Sequence, residues 1–363
     1  GDTLLFAATN LGVYRSTNGG NDWDLFSTGL SGVLGSYTIH DIGIVNGSVY
    51  AATENGVYKS TNSGVSWFAS NNGMPIDWRG VYPRINVLWE TEDELFAGTN
   101  DYGVYRTSDG GTTWLAMSTG LPRIPTNTNF IQPVYSAAVA DGRIFLGLDG
   151  GGIYVSSDNG EHWQQGIRRL PAIAYVFGFA VRGTALFAAT FNGIFQSTDV
   201  DSIWIPVFTR FPKILQTSVL TAATNNLIAS GLSSSWNGGI GGAFYSTNSG
   251  IEWASIDSLS PARYFTCFAV HNNSVFGGNW YGIYHSSDEG IHWSSDSSSP
   301  GTVNAILSKG SDLYAATGYD NWQWGEFGGV YRSTDNGSTW IAAGLVDTTI
   351  LSLTYMENYL FAG

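Results

Sequence analysis

The feature that most constrains this chain is a phrase that recurs eight times along its 363 residues. In the second copy, a β-forming run at 49–53 is followed by another at 56–60, a polar turn and a tryptophan at 67. The closing tryptophans lie 40 to 49 residues apart, at Trp23, Trp67, Trp114, Trp163, Trp204, Trp253, Trp293 and Trp340. A period of about 45 residues with four short strand-like runs is typical of a propeller blade. We therefore predict one all-β domain over residues 1–363, an eight-bladed β-propeller of four-stranded antiparallel blades.

Each repeat is predicted to contain four strands, A to D, which in the second repeat span 39–45, 48–53, 56–60 and 65–70. Asn46-Gly47 between A and B predicts a type I′ hairpin turn, because both central residues of that turn need a positive φ. The A runs are small and apolar, which suits the crowded innermost position. Because antiparallel strands alternate in direction, the B–C and D–A connections share one face, here called the upper face. The A–B and C–D turns share the other, the lower face.

Ring closure is expected to use both ends of the sequence. The first repeat supplies only B, C and D strands, and its missing A strand is expected at 349–355. Pairing of this C-terminal A strand with the N-terminal strands would remove exposed sheet edges. A second B-like phrase at 359–363 competes with the one at 4–8. We expect the N-terminal copy to hold the position beside strand A and the final residues to be displaced or to lead into a following segment.

The C–D turns carry a specific motif, Ser-x-Asp-x-Gly-x-x-Trp, complete at 156–163, 286–293 and 333–340. It resembles the Asp box, or BNR repeat, of sialidase-like, sortilin-like and photosystem II stability factor-like propellers. The acidic or amide position is held by Asn18, Asn62, Asp109, Asp158, Asp199, Asn248, Asp288 and Asp335. In the fifth copy Asp201 stands where glycine is expected, so that turn is predicted to be distorted.

A structural role is predicted for these eight side chains. Asp and Asn side chains can accept hydrogen bonds from backbone N–H groups of their own turn, glycine closes the turn, and the tryptophan ring packs over it. The resemblance also implies that the boxes lie on the face away from any active site. It therefore implies a fold and not an enzyme class.

Composition excludes some partners. A formal charge of −14, from 29 acidic and 15 basic residues, argues against nucleic acid, whose binding needs clustered Lys and Arg. No apolar run reaches 18 residues, so no membrane insertion is predicted. The acidic, lysine-poor composition favours an extracellular, periplasmic or cell-surface protein, and the sequence leaves open whether further domains flank it. The single cysteine, Cys267, lies in an apolar run and is predicted to be a buried small hydrophobe.

Catalytic signals are weak. The five histidines show no metal-ligand spacing, and the glycine-rich stretch 238–242 is followed by no helix pattern, so neither a metal nor a cofactor is predicted. The segment 122–125, Pro-Arg-Ile-Pro, is a near match to a sialidase motif but lies between the third and fourth boxes. Paired carboxylates for glycoside hydrolysis could come only from upper-face loops. The candidates are Asp77, Asp101, Asp149, Asp320 and Glu326.

Aromatic residues accumulate where the upper-face loops lengthen. The predicted ligand-binding residues are Trp236, Trp280, Tyr281, Tyr319, Trp322, Trp324, Phe327, Trp78 and Arg79. Exposed rings on a rigid scaffold are typical of docking surfaces, although the same rings could pack against each other or plug the ring. The leading prediction is a secreted or surface binding module for a glycan or protein. The alternatives are a glycoside hydrolase or lyase, and an assembly factor for a membrane complex.

Overall fold

A computed structural model of the chain describes residues 4–9, 12–16, 22–30, 38–91, 94–166, 175–183, 185–197, 204–207, 216–232, 242–256, 264–295, 300–318, 328–345, 348–350, 353–356 and 359–362. Within these ranges every regular element is a β-strand. No helix long and apolar enough to cross a membrane is found among them. The prediction of an all-β fold is therefore confirmed for the described part of the chain.

The strands are short and follow one another closely. In chain order they are β1 (Leu4–Thr9), β2 (Gly12–Ser16), β3 (Asp24–Leu25), β4 (Ile39–Val45), β5 (Ser48–Thr53), β6 (Gly56–Ser60), β7 (Phe68–Ala69), β8 (Ile85–Thr91), β9 (Glu94–Thr99), β10 (Val104–Thr107), β11 (Leu115–Ala116), β12 (Arg123–Ile124), β13 (Asn127–Ile131), β14 (Val134–Ala140), β15 (Arg143–Leu148), β16 (Gly152–Ser156), β17 (Gln164–Gln165) and β18 (Val176–Arg182). They continue as β19 (Ala185–Thr190), β20 (Gly193–Ser197), β21 (Ile205–Pro206), β22 (Gln216–Ala222), β23 (Leu227–Leu232), β24 (Gly242–Ser246), β25 (Ala254–Ser255), β26 (Cys267–His271), β27 (Ser274–Asn279), β28 (Gly282–Ser286), β29 (Ser294–Ser295), β30 (Val303–Lys309), β31 (Asp312–Thr317), β32 (Gly329–Ser333), β33 (Ile341–Ala342), β34 (Leu353–Met356) and β35 (Tyr359–Ala362).

Successive strands pair into small antiparallel sheets. Seven four-stranded sheets keep the sequence order of their strands: sheet 2 (β4–β7), sheet 3 (β8–β11), sheet 4 (β14–β17), sheet 5 (β18–β21), sheet 6 (β22–β25), sheet 7 (β26–β29) and sheet 8 (β30–β33). Sheet 1 is five-stranded, in the order β3-β2-β1-β35-β34, and β12 and β13 form a separate hairpin in the connection between sheets 3 and 4. The predicted A-to-D order is confirmed in the four-stranded sheets.

The turn and strand chemistry explains these sheets. Asn46 and Gly47 have φ of 49° and 75°, as the predicted type I′ turn requires. Asp141 and Gly142 repeat the pattern in sheet 4, at 50° and 69°. At the upper end of strand A, the register shifts in six sheets, as between Ile39 and Asp41. Such a bulge redirects side chains, so the upper ends of strands A need not follow the inward alternation.

Neighbouring sheets pack face to face in a closed succession. Eight buried clusters occur in the described residues, and each is shared by two consecutive sheets. Val13 of sheet 1 packs with Ile39 and Trp67 of sheet 2, while Trp23 of sheet 1 packs against Tyr314 of sheet 8. The core is therefore divided among the interfaces between sheets, and sheet 1 joins the last sheet to the second.

Four of the repeated tryptophans, Trp23, Trp67, Trp114 and Trp163, donate across these interfaces, whereas Trp253 and Trp293 donate to Gly250 and Gly290 of their own turns. The indole N–H of Trp67 donates to the backbone carbonyl of Phe26 at 3.0 Å, and that of Trp114 to Ser70 at 2.7 Å. Trp23 donates in the same way to Ala343 of sheet 8, at 2.6 Å. Each acceptor across an interface belongs to the end of strand D in the preceding repeat, so one buried ring stabilises two repeats at once.

A glycine after strand D makes this approach possible. At Gly73, with φ of 96°, a Cβ atom would lie 2.2 Å from the carbonyl oxygen of Trp114, and at Gly120 the corresponding distance to Trp163 is 2.1 Å. The residue before each glycine accepts the tryptophan backbone N–H, as Asn72 does at 2.8 Å. A side chain at Gly73 or Gly120 would therefore push two adjacent repeats apart.

Ring closure differs from the prediction in one respect. Strands from both ends of the sequence share sheet 1, as expected, but β34 does not pair directly with β1. Instead β35 lies between them, antiparallel to β34 and parallel to β1, with Leu4 opposite Tyr359. The prediction that the final residues are displaced is therefore wrong. Because β34 and β35 are separated by only two residues, they pair at a low entropic cost of loop closure, and β1 is left with the outer edge of β35.

Two carboxylates link the inner strands of sheets 2 and 3. Asp41 of β4 accepts the backbone N–H of Leu88 of β8 at 2.7 Å, and Glu90 of β8 accepts that of Ile44 of β4 at 2.5 Å. Burial raises the pKa of Asp41 to about 6, although the N–H groups of Leu88 and Ile42 act in the opposite direction. The sequence analysis did not predict this pair of reciprocal contacts.

Candidate functional site

The lower-face turns use their own polar groups. In the turn at 156–163, Ser156 Oγ accepts the backbone N–H of Gly160 at 2.8 Å and donates to Asp158 Oδ1 at 2.8 Å. Asp158 in turn accepts the backbone N–H of His162 at 2.9 Å. The turns that begin at Ser60, Thr107, Ser246, Ser286 and Ser333 repeat these contacts. Asn18, Asp199 and Asp201 lie outside the described residues.

These hydrogen bonds fix the charge of the turn carboxylates. Those donated by the residue four positions further on lower the pKa of Asp109, Asp158 and Asp335 to about 2. At Asp288 burial acts against the lowering, but hydrogen bonds from His292 outweigh it and the pKa is also about 2. A carboxylate that is already saturated by its own turn is a poor acid, base or ligand-binding group. The structural role of this position stays a prediction, and these hydrogen bonds are the contacts that it requires.

The upper face brings together a different set of groups. The upper cluster consists of Asp101, Tyr135, Asp149, Tyr175 and Phe191, from sheets 3, 4 and 5. Asp101, Asp149 and Phe191 follow strands B, while Tyr135 and Tyr175 lie at the upper ends of strands A. After burial, Asp149, Asp101 and Tyr175 raise the pKa of Tyr135 and Arg84 lowers it, so these charged and polar groups lie near its hydroxyl. The sequence predicted the two carboxylates but none of the rings.

The rings of the upper cluster are exposed. Tyr135, Tyr175 and Phe191 keep 44%, 40% and 39% of their surface accessible. The rings of Tyr175 and Phe191 lie 6.0 Å apart between centroids, tilted by 56°, and the backbone N–H of Phe191 donates to the Tyr175 carbonyl at 3.0 Å. Strand ends therefore hold the two rings in a defined geometry while solvent still reaches them.

The carboxylates of the cluster lack a cation. Burial raises the pKa of Asp149, while a hydrogen bond from the Tyr175 hydroxyl opposes the rise. Burial, and then the nearby Asp149, raise the pKa of Tyr135. Arg84 lies nearby but pairs with Glu54 at 3.4 Å, and His40 contacts the same Glu54 oxygen at 2.8 Å. Within the described residues, neither Asp101 nor Asp149 forms an ion pair.

Of the other residues predicted for the upper face, five lie within the described part of the chain, and seven do not. Asp77 accepts backbone N–H groups from Val81 and Arg79 and pairs with the Arg79 guanidinium at 2.8 Å; the Val81 hydrogen bond is the largest cause of its lowered pKa. Trp78 between them is 93% exposed, with the Arg79 guanidinium 5.7 Å from its ring centroid. Trp280 and Tyr281 are exposed in the B–C turn of sheet 7. The other predicted residues, Trp236, Tyr319, Asp320, Trp322, Trp324, Glu326 and Phe327, lie outside the described residues.

The structure also shows the surroundings of the arginines and the cysteine that the sequence analysis considered for catalysis. Arg123 of the sialidase-like segment lies in β12 and donates to the Thr128 carbonyl of its own hairpin at 2.9 Å. Arg332 pairs with Asp312 at 2.5 Å, within sheet 8. Burial raises the pKa of the Cys267 thiol to about 12, so little nucleophilic thiolate forms at neutral pH. Among the described residues, no three His, Cys, Asp or Glu side chains are grouped as metal ligands.

The sequence analysis missed the rings because they occupy single positions and not long insertions. Tyr135 and Phe177 occupy the second position of strand A, where sheets 2, 3 and 8 carry His40, Asn86 and Asn304. Both rings are exposed. A comparison of this position across the repeats would have identified Tyr135 and Phe177 as exposed rings, because the bulge at the start of strand A turns this position away from the core.

Comparison with known proteins supports the fold. No protein-family model and no curated protein matches the sequence. Among solved structures, the chain is similar to the computationally designed protein Ika8, with 9% identity and a TM-score of 0.64 over 100% of this chain and 96% of the designed one. It is also similar to the GH74 xyloglucanase from Xanthomonas campestris, with 15% identity and a TM-score of 0.55. That match covers 89% of this chain and 57% of the xyloglucanase.

A third similar structure is YCF48 bound to D1 peptide, with 17% identity and a TM-score of 0.53 over 76% of this chain and 89% of YCF48. The xyloglucanase and YCF48 are β-propellers, and this chain shares their fold. The likeness extends to architecture alone, because function depends on the residues of a site and not on the fold that carries it.

Proposed function

We propose that this chain is a binding module that presents the aromatic, acidic loops of its upper face to a glycan or protein ligand, as a secreted or cell-surface protein. The observation that carries the proposal is the upper cluster, in which three exposed rings lie near Asp149, a carboxylate that forms no ion pair with a described residue. Exposed rings offer large contact area at low entropic cost, and interfaces are enriched in them. The eight larger sheets are proposed to be the eight blades of one ring, with the lower-face turns as its Asp boxes.

The contrast between the two faces supports this assignment. On the lower face, each described turn carboxylate is saturated by donors of its own turn. On the upper face, Asp149 receives one hydroxyl hydrogen bond and lies among accessible rings. Loops and strand ends on a rigid scaffold are the usual carriers of binding function. The upper face is therefore the side on which we place the ligand.

A second candidate function is glycoside hydrolysis. Asp149 has a raised pKa, which suits a general acid, and Asp101 supplies a second carboxylate near the same tyrosine. Replacement of Asp149 by Asn separates the two functions. A hydrolase would lose turnover of a xyloglucan or β-glucan oligosaccharide by orders of magnitude, whereas the binding module has no turnover to lose. Reducing-sugar release by the unaltered chain is the first measurement.

The experiment for the binding proposal begins with a glycan array and a peptide-display library, both screened with the purified chain. The strongest ligand is then titrated against Tyr135→Ala, Tyr175→Ala and Phe191→Ala. Each variant is expected to weaken capture by roughly fivefold or more, since an interface ring contributes about 1 to 2 kcal/mol. Phe68→Ala is the matched control, because Phe68 is an equally exposed ring on the short outer strand β7. Equal affinities for all four variants would contradict the proposal.

An assembly role is tested by the same screen. YCF48 shares the fold and is seen with a D1 peptide, and an assembly factor would capture peptides but no glycans. Copurification with a membrane complex from the native source would support that form of the proposal. Glycan capture with no peptide capture would exclude it.

A further inference from the structure

The upper cluster combines exposed ring faces with two carboxylates that form no ion pair with a described residue. The Tyr175 and Phe191 rings are held 6.0 Å apart and tilted by 56°, with Tyr135 exposed beside them. Asp149 accepts a hydrogen bond from the Tyr175 hydroxyl, and both Asp149 and Asp101 lie near the Tyr135 hydroxyl. The chemistry that complements both parts at once is a cation with a flat or apolar surface.

We propose that the upper cluster is a receptor for one positively charged side chain of a protein segment, with arginine preferred over lysine. This inference rests on the proposed binding function and specifies its ligand. The guanidinium would stack on the rings of Tyr175 and Phe191 while its N–H groups donate to Asp149. A guanidinium suits this arrangement better than an ammonium, since it stacks on aromatic faces and donates two parallel hydrogen bonds to a carboxylate.

The charges around the cluster favour such a ligand. Arg84, the cation nearest to Tyr135, is balanced by Glu54, which also contacts His40. Asp101 and Asp149 form no ion pair with a described residue, so a bound cation would meet two unbalanced carboxylates. Burial raises the pKa of Asp149, and a cation bound beside this partly desolvated carboxylate would stabilise its charged form. The whole chain carries a formal charge of −14, which would speed the approach of a basic segment.

The same features disfavour other occupants. A neutral sugar can stack on the rings but leaves the two carboxylates without a counter-charge. A second copy of this chain carries the same net charge of −14 and would be repelled at low salt. An acidic or phosphorylated segment would bring like charge to Asp149, which is destabilising in a partly desolvated site.

The test uses four synthetic dodecapeptides, each with four repeats of Gly-Gly-X, where X is Arg, Lys, Gln or Glu. Binding to the whole chain is measured by calorimetry at low salt and again at about 0.3 M salt, where long-range attraction is screened. The Arg peptide is expected to bind several-fold more tightly than the Lys peptide at both salt concentrations. The Gln and Glu peptides are expected to show no heat of binding.

Two pairs of variants locate the site. Asp149→Asn is expected to weaken binding of the Arg peptide by about tenfold, in the range of a lost charge-assisted hydrogen bond. Its control is Asp141→Asn, which removes the same charge from the lower-face turn of the same sheet, at a φ of 50° that Asn adopts readily. Phe191→Leu is expected to weaken binding roughly fivefold, against no change for Phe68→Leu. Near-ultraviolet circular dichroism checks that each variant is folded.

The outcomes separate this inference from the proposed function. Equal weakening by Asp149→Asn and Asp141→Asn would show that the peptide responds only to net charge and would overturn the inference. Equal binding of the Gln and Arg peptides would overturn it as well. If a ligand from the screens depends on Tyr135 and Phe191 but not on Asp149, the binding function stands and the cation receptor fails. If no ligand responds to the rings, both fail.

Discussion

The carboxylate of Asp41 provides a direct test of how buried charge affects this fold. Asp41 is partly buried, and the loss of hydration there raises its pKa from 3.8 to about 6. A pKa that is higher in the folded state favours the protonated form, so this group contributes stability below pH 3.8 and loses it as the pH rises through 6. At about 1.4 kcal/mol for each pH unit between these values, complete ionisation lowers the free energy of unfolding by about 3 kcal/mol. About 2 kcal/mol of this falls between pH 4 and pH 7, because the unfolded carboxyl is already more than half ionised at pH 4.

The measurement is urea unfolding of the unaltered chain and Asp41→Asn at pH 4, 5, 6 and 7. Asn cannot ionise, so the advantage of the unaltered chain over the variant should be larger at pH 4 than at pH 7 by about 2 kcal/mol. Asp141→Asn, exposed in its turn, should follow the unaltered chain at every pH. A constant difference between the two proteins would refute the argument from burial. A difference that grows towards pH 7 would show that the N–H groups of Leu88 and Ile42 outweigh burial.

Three further predictions concern a lower-face turn, the contact between two repeats and the exposed tryptophan of sheet 7. Ser156→Ala should lower the free energy of unfolding by about 1 to 3 kcal/mol, because the buried Gly160 N–H loses its acceptor, while ligand capture stays unchanged; urea unfolding and a binding assay on the same sample check both. Gly73→Ala should lower the free energy of unfolding by about 2 to 4 kcal/mol, because the new Cβ would clash with the Trp114 carbonyl oxygen and because alanine is strained at the positive φ of this position; an unchanged melting temperature would contradict this prediction. Trp280→Ala should cost less than about 1 kcal/mol and weaken capture if the ring belongs to the docking surface, whereas the fully buried Trp114→Ala should cost about 3 to 5 kcal/mol.

The fold could be predicted because each repeat contains the sequence pattern of its strands and of the turns between them. Eight copies of one phrase, with a turn signal such as Asn46-Gly47 between A and B, leave few arrangements other than four-stranded antiparallel sheets. Ring closure was predicted only in part. The phrases at 4–8 and 359–363 are both B-like, and sequence pattern cannot decide between a local hairpin and a pairing across the whole chain. In the structure both are used, and β35 pairs with β34 and with β1.

The candidate site was harder to predict than the fold. The long loops with tryptophans predicted a binding surface on the sixth to eighth repeats, whereas the upper cluster lies on sheets 3, 4 and 5. Tyr135 falls inside a run that the pattern assigns to the innermost strand, and only the bulge between Val134 and Ser136 explains its exposure. Asp101 and Asp149 were correctly located at the ends of strands B. Their common surroundings depend on packing between sheets, which the pattern within one repeat does not contain.

Residue type alone does not identify a working carboxylate in this fold; the number of nearby N–H donors does. Asp158 lies in a turn whose backbone N–H groups point at it, so its pKa falls to about 2 and its acceptor sites are filled. Asp149 follows a strand whose N–H groups are engaged in the sheet, so its side chain has only the Tyr175 hydroxyl, and burial raises its pKa. The same side chain is thus held by its own turn at one end of a sheet and by a single hydroxyl donor among described residues at the other. The binding function proposed for this chain therefore depends on acids at the ends of strands B, opposite the recurring turns of the motif, and on the rings near them.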